Sequence, residues 1–133
     1  HVRHISKRPG STFFLPGTTG AEIHPAVEPI PGEAVVTKVF PNSFRGTDLQ
    51  NLLQKEGVGH LVICGAMSHM CIDATARAAF DLGFRCTVVE DACATKNLSF
   101  KGESVPAWAV HGAFMAALQG IYAEVVSAGD IMQ

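Results

Sequence analysis

Cys71 and Lys38 are the residues whose types and settings point to chemistry. The stretch Gly65-Ala66-Met67-Ser68-His69-Met70-Cys71 joins an apolar run, His60 to Gly65, to a segment with helical spacing. Cys71 is therefore expected in the first turn of a helix, where unpaired backbone N–H groups and the helix dipole favour an anion. A thiol held there is drawn toward the thiolate, the attacking form. The same N–H groups can hold an oxyanion. The position equally suits a cysteine that packs under the helix as a small hydrophobe. Lys38 ends the run Ala34-Val35-Val36-Thr37, which sets an ammonium at the end of a strand. It can favour a thiolate or stabilise developing negative charge, or it can be a solvated strand-end lysine.

The other polar candidates carry less. His69 lies two residues before Cys71. Residues two apart on a helix point in different directions, so His69 reads as pocket lining or solvent-facing rather than as the base of a Cys-His pair. His1, His4 and His24 show no metal-ligand spacing beyond the two-residue gap between the first two, so no metal is indicated. No Gly-rich phosphate loop follows any strand, and no cofactor is called for. Asp73, in a helical first turn, and Asp91, at a strand end, read as structural carboxylates. His111, in the middle of a helix, reads as a satisfied histidine.

Composition narrows the partners. The formal net charge is −2 and no Lys/Arg run exceeds two residues, so neither nucleic acid nor a membrane surface has an electrostatic footprint here. No apolar run nears the roughly 18 residues that span a bilayer, and no apolar h-region follows the first residues. A small-molecule substrate is left open as a partner. Cys64, Cys71, Cys86 and Cys93 contain no C-x-x-C pair, which fits free thiols in a reducing, cytoplasmic setting.

The elements that must position Cys71 and Lys38 follow from periodicity. Residues 34–38 read as a strand. A helix opens at Thr47 as N-cap, presents Leu49, Leu52 and Leu53, and stops at Gly57 and Gly59. His60 to Gly65 reads as a strand buried on both faces. Cys71 to Leu82 is a helix with apolar residues at three- and four-residue steps, capped by Gly83. A strand over Cys86–Glu90, a helix from about Pro106 to Leu118 and a strand over Tyr122–Val126 complete the series, and Ser11 to Ile30 reads as a long loop with a short helical turn. Alternation of this kind implies an α/β fold: a doubly wound, mostly parallel sheet with helices on both faces in three layers. The chain reads as one domain, residues 1–133.

Three segments in this order carry a resemblance. Leu61-Val62-Ile63-Cys64-Gly65 through Cys71-Ile72-Asp73-Ala74-Thr75-Ala76 to Gly83 resembles the nucleophile segment of the isochorismatase-like cysteine hydrolases. Val35-Val36-Thr37-Lys38-Val39-Phe40-Pro41-Asn42-Ser43-Phe44 resembles that family's lysine segment, and Val88-Val89-Glu90-Asp91-Ala92 its following strand. The resemblance spans roughly residues 2 to 128. It implies an Asp-Lys-Cys triad with Cys71 as nucleophile and Lys38 as the lysine. It also implies a cis peptide at Ala66–Met67, an oxyanion hole formed by the N–H groups of Met67 and Cys71, and a pocket that includes Ala66, His69 and Phe44. Members with a cysteine at this position tend to cleave C–N bonds of amides, ureas or carbamoyl groups. Members also commonly form homo-oligomers, for which Trp108, Phe114 and Met115 offer an apolar face.

One feature departs from the family pattern. The family's general base is an Asp at the end of a first strand, and no Asp precedes Asp48 here. The first strand and helix of the family have no counterpart, and their absence is expected to leave strand edges and apolar surface exposed. The alternatives to an amide hydrolase are a non-catalytic binding or assembly protein on this fold, a truncated inactive member, a redox-sensing thiol protein and a flavodoxin-like nucleotide binder.

Overall fold

Short runs of β-branched residues become parallel strands, and the residues between them become the turns that hold the site. In a computed structural model of the protein, residues 1–131 are described; the last two of the expected domain, residues 1–133, lie outside that range. The strands are β1 (Val2–His4), β2 (Val36–Lys38), β3 (His60–Ala66), β4 (Arg85–Ala94), β5 (Leu98–Phe100), β6 (Glu103–Val105) and β7 (Glu124–Val126). The helices are α1 (Leu49–Lys55), α2 (Asp73–Asp81), α3 (Ala107–Leu118) and α4 (Ala128–Ile131).

The main pairings are parallel, as the alternation requires. β1 runs beside β2 with His4 opposite Lys38. In a second sheet, β4 lies between β3 and β7, with Val62 opposite Thr87 and Val88 opposite Val125. The class is α/β, as expected. The core forms where α2 and α3 meet this sheet. Ala76 and Ala79 of α2, Met115 and Leu118 of α3, and Cys86 and Val88 of β4 are buried together. The small Ala76 and Ala79 let helix α2 approach closely, and Val88 and Leu118 are fully enclosed. Burying side chains of their size contributes on the order of 1.5–3 kcal/mol each.

Several local expectations are corrected. The strand expected to be buried on both faces, β3, pairs with β4 alone, so it is an edge strand with Val62 55% exposed. Among the described residues no strand ladder joins it to the β1–β2 pair. Thr47 is not the N-cap of α1. Asp48 takes that place without a side-chain capping bond, while Thr47 Oγ1 accepts the Leu49 N–H at 3.4 Å and donates to the Ser43 carbonyl at 2.6 Å. Cys71 is not in the first turn of an α-helix. It lies in a π-helical turn, Ser68–Ile72, that leads into α2. Pro106 is the residue before α3 rather than its first turn.

Of the apolar face assigned to α3, Met115 is core and Phe114 sets its ring edge-on to His69, while Trp108 is 78% exposed. The reason is helical phase: Val110, Met115 and Leu118 form the inward stripe. The hairpin β5–β6 was not anticipated. Its two-residue turn places both Lys101 and Gly102 at positive φ, 53° and 86°, a conformation that glycine at the second position accommodates. Gly83, at φ 89°, follows α2 as the expected cap. The loop from Ser11 to Ile30 holds two single 3-10 turns.

Candidate active site

Two independent segments bring Lys38 and Cys71 together. Lys38 ends β2 and is 4% exposed, an ammonium that must be satisfied by the protein itself. Its Nζ donates to the Phe40 carbonyl at 2.9 Å, the Pro41 carbonyl at 3.1 Å and Cys71 Sγ at 3.1 Å. A fourth contact, to His4 Nδ1 at 3.2 Å, comes from the neighbouring strand β1. An ammonium has three hydrogens, so these acceptors occupy it fully and fix its direction. Because lysine only donates, His4 Nδ1 must be an unprotonated acceptor. Burial, reinforced by the Lys38 charge, holds the His4 ring below its ordinary range, which agrees with that role.

The loop that follows Lys38 is fastened to α2 through Ser43 and Thr75, neither of them expected as a site residue. Thr75 Oγ1 accepts the Ser43 N–H at 3.1 Å and bonds the Ser43 hydroxyl at 2.9 Å. Both residues are buried. Thr75 Oγ1 also lies 3.4 Å from the Pro41 carbonyl, so the lysine loop and α2 meet through this hydroxyl, which helps keep Phe40 and Pro41 where their carbonyls meet Lys38. Ser43 and Thr75 both stand in the segments that carry the family resemblance, Ser43-Phe44 and Thr75-Ala76, but sequence patterns assign neither a role at the site.

On the other side of Cys71 is the turn that carries it. The Ala66–Met67 peptide is cis, as the resemblance implied. The Met67 carbonyl accepts the N–H groups of Met70 and Ile72 at 3.0 and 3.2 Å, which closes the turn that carries Cys71. Ser68 is fully buried and its hydroxyl lies 2.9 Å from His111 Nδ1.

Cys71 borders two cavities. One, of about 410 Å³, is lined by His4, Phe14, Val39, Met67 and Met70 among others. The second, of about 440 Å³, lies between the two parallel sheets and includes Lys38, Phe44, Leu61, Ala66 and Thr75. Phe44 also stacks on Phe84 with ring centroids 5.9 Å apart. His69 lines neither cavity. Its Nδ1 lies 2.6 Å from the Thr95 hydroxyl, and burial, with Lys96 nearby, lowers its pKa. Phe14 was missed in the sequence. It sits at φ 55°, uncommon for an aromatic residue, with its carbonyl accepting the Ser6 N–H at 2.8 Å and its ring 5.4 Å from His4.

The two carboxylates flanking the turn are engaged elsewhere. Asp73 pairs with Arg77 at 2.8 Å, and Asp91 accepts the Ala128 N–H at 2.8 Å. All four cysteines are free thiols. Burial pushes the thiols of Cys86 and Cys93 up, for Cys93 against an opposing hydrogen bond from Gly65. Among the described residues no three His, Cys, Asp or Glu side chains converge as metal ligands, and no helix is long and apolar enough to cross a membrane.

Known proteins resemble this chain in sequence and fold. Residues 1–127 match the model of the isochorismatase domain family. The isochorismatase family protein YddQ of Bacillus subtilis is 56% identical over 94% of this chain and 69% of its own length. Streptothricin hydrolase of Streptomyces noursei is 46% identical over 62% of this chain and 30% of its own length. A crystal structure of an isochorismatase hydrolase from Oleispira antarctica matches with a TM-score of 0.94 and 55% identity, over 99% of this chain and 70% of that one. The chain thus spans at most about seven tenths of these relatives. From the strand-end lysine, the turn that carries the cysteine and these matches together, the chain belongs to the isochorismatase family.

Proposed function

We propose that this chain carries the nucleophilic part of a hydrolase for small amide, ureido or carbamoyl substrates, with Cys71 as nucleophile. The observation that carries this reading is the 3.1 Å contact between Cys71 Sγ and the buried Lys38 ammonium, at the edge of a 410 Å³ cavity. An ammonium there can stabilise negative charge that develops at the site. The thiolate attacks the carbonyl carbon; a C–S bond forms and the carbonyl oxygen becomes an oxyanion. The N–H groups of Met67 and Cys71 are the proposed donors to it. Collapse of the intermediate breaks the C–N bond, and the departing nitrogen takes a proton from water. The hydroxide so formed cleaves the thioester and returns the acid and the thiolate.

The cavity wall of Phe14, Val39, Met67 and Met70 suits a substrate with an apolar body. That a streptothricin hydrolase is among the relatives supports C–N cleavage for the family site. The proposed pocket residues Ala66 and Phe44 line the cavity between the sheets, on the other side of Cys71. His69 reaches the site only through the turn it belongs to.

The test is competitive alkylation of the native protein by iodoacetamide at neutral pH, with each cysteine read by peptide mass spectrometry. Cys71 is expected to react well ahead of exposed Cys64, with Cys93 and Cys86 slowest, and a panel of small apolar amides is then screened for acid release. Equal rates at Cys71 and Cys64 defeat the nucleophile assignment and favour a binding or assembly role on the same fold.

A further inference from the structure

A polar chain runs from the buried underside of the turn that carries Cys71 to the half-exposed Glu90. Ser68, the first residue of the π turn that carries Cys71, is fully buried. Its hydroxyl lies 2.9 Å from Nδ1 of His111 on α3 and 3.3 Å from the Ala94 carbonyl at the end of β4. The other ring nitrogen of His111, Nε2, lies 3.5 Å from the Glu90 carboxylate on β4. Three elements, the nucleophile turn, α3 and β4, therefore meet through one imidazole.

The hydrogen accounting shows why the imidazole matters. Ser68 has one hydroxyl hydrogen and two acceptors in reach. If that hydrogen goes to the nearer His111 Nδ1, the ring carries its own hydrogen on Nε2, facing Glu90. If it goes to the Ala94 carbonyl, Nδ1–H donates to the Ser68 oxygen instead. In either arrangement the ring bonds Ser68. The buried hydroxyl depends on His111, and an apolar replacement weakens its hold on the turn. The Ser68 hydroxyl is itself too enclosed to reach a substrate.

We propose that His111 is a positioning residue for the Cys71 turn: through Ser68 it fixes the turn in which Cys71 faces Lys38 and the N–H groups of Met67 and Cys71 are set. This rests on the reading of Cys71 as nucleophile, and the measurement separates the two. The variants are His111→Ala, His111→Asn, whose side-chain amide can occupy the Nδ1 position, Ser68→Ala and the His111→Ala/Ser68→Ala double variant. The readouts are the Cys71 and Cys64 alkylation rates, amide hydrogen exchange at Met70 and Ile72, and thermal unfolding.

His111→Ala is expected to slow Cys71 about tenfold relative to Cys64 and to speed exchange at Met70 and Ile72, whose N–H groups bond the Met67 carbonyl. His111→Asn restores much of both. The double variant is expected to be no worse than the worse single variant, since both remove the same contact. Additive losses, or a lower unfolding midpoint with unchanged Cys71 selectivity and unchanged exchange, overturn the proposal. A wild-type Cys71 no faster than Cys64 instead overturns the nucleophile reading, and the exchange comparison still decides whether His111 positions the turn.

Discussion

Replacing Lys38 by methionine removes the charge while keeping an unbranched chain of similar size. At an effective dielectric of about 20, unit charges 3.1 Å apart attract by roughly 5 kcal/mol. The Lys38 ammonium divides itself among two carbonyls, His4 and the sulfur, so about half that value, ~2–3 kcal/mol, is assigned to the thiolate. This corresponds to a loss of roughly 10²-fold in Cys71 reactivity. The assay is the ratio of Cys71 to Cys64 alkylation rates within the same molecules, so protein concentration and reagent cancel. The substitution also strips the donor from the Phe40 and Pro41 carbonyls, which costs about 1–3 kcal/mol where such groups stay buried, so urea unfolding accompanies the rate measurement. Lys38→Arg keeps the charge but its planar fork does not match four acceptors around one nitrogen, and an intermediate ratio is expected. A folded Lys38→Met protein with the wild-type ratio refutes the argument that this ammonium activates the thiol.

Acidification is expected to destabilise the protein below about pH 6.5. His4 and His69 both have lowered pKa values in the native state. Above the unfolded value of 6.5 both states carry neutral rings; below it the unfolded chain takes up protons that the native rings refuse, and stability falls with pH. Unfolding midpoints of the wild type and His4→Gln between about pH 5 and 7 check this, the variant having the shallower slope. Thr75→Val preserves shape but removes the acceptor for the buried Ser43 N–H and the partner of its hydroxyl. A loss of about 1–3 kcal/mol in urea unfolding is expected, with a smaller fall in Cys71 reactivity than for Lys38→Met; no change in stability would contradict the fastening of the lysine loop to α2.

What could be read from the chain before folding was what depends on neighbours in sequence. The alternation of apolar runs foretold parallel strands and their connecting helices, because the period of burial is written locally. The strand-end Lys38, the Gly65-to-Cys71 turn and the cap at Gly83 are likewise local patterns, and each stands near its expected place. The cis bond at Ala66–Met67 was foretold only by resemblance.

Tertiary structure decided the rest. Whether β3 is central or at an edge depends on which strands come to lie beside it, so its pattern of apolar residues could not reveal that Val62 is exposed. Helical phase placed Met115 inward and Trp108 outward, although both belong to one apolar stretch. His4 meets Lys38 from 34 residues away, Ser43 meets Thr75 across 32 and Ser68 meets His111 across 43. No spacing rule reaches so far: a lone histidine or serine has the same local signature whether it is solvated or bonded in the core. Cys71 and Lys38 were legible as candidates because such residue types are uncommon at strand ends and the turns after them. The residues that meet them were not, because those contacts are a property of packing.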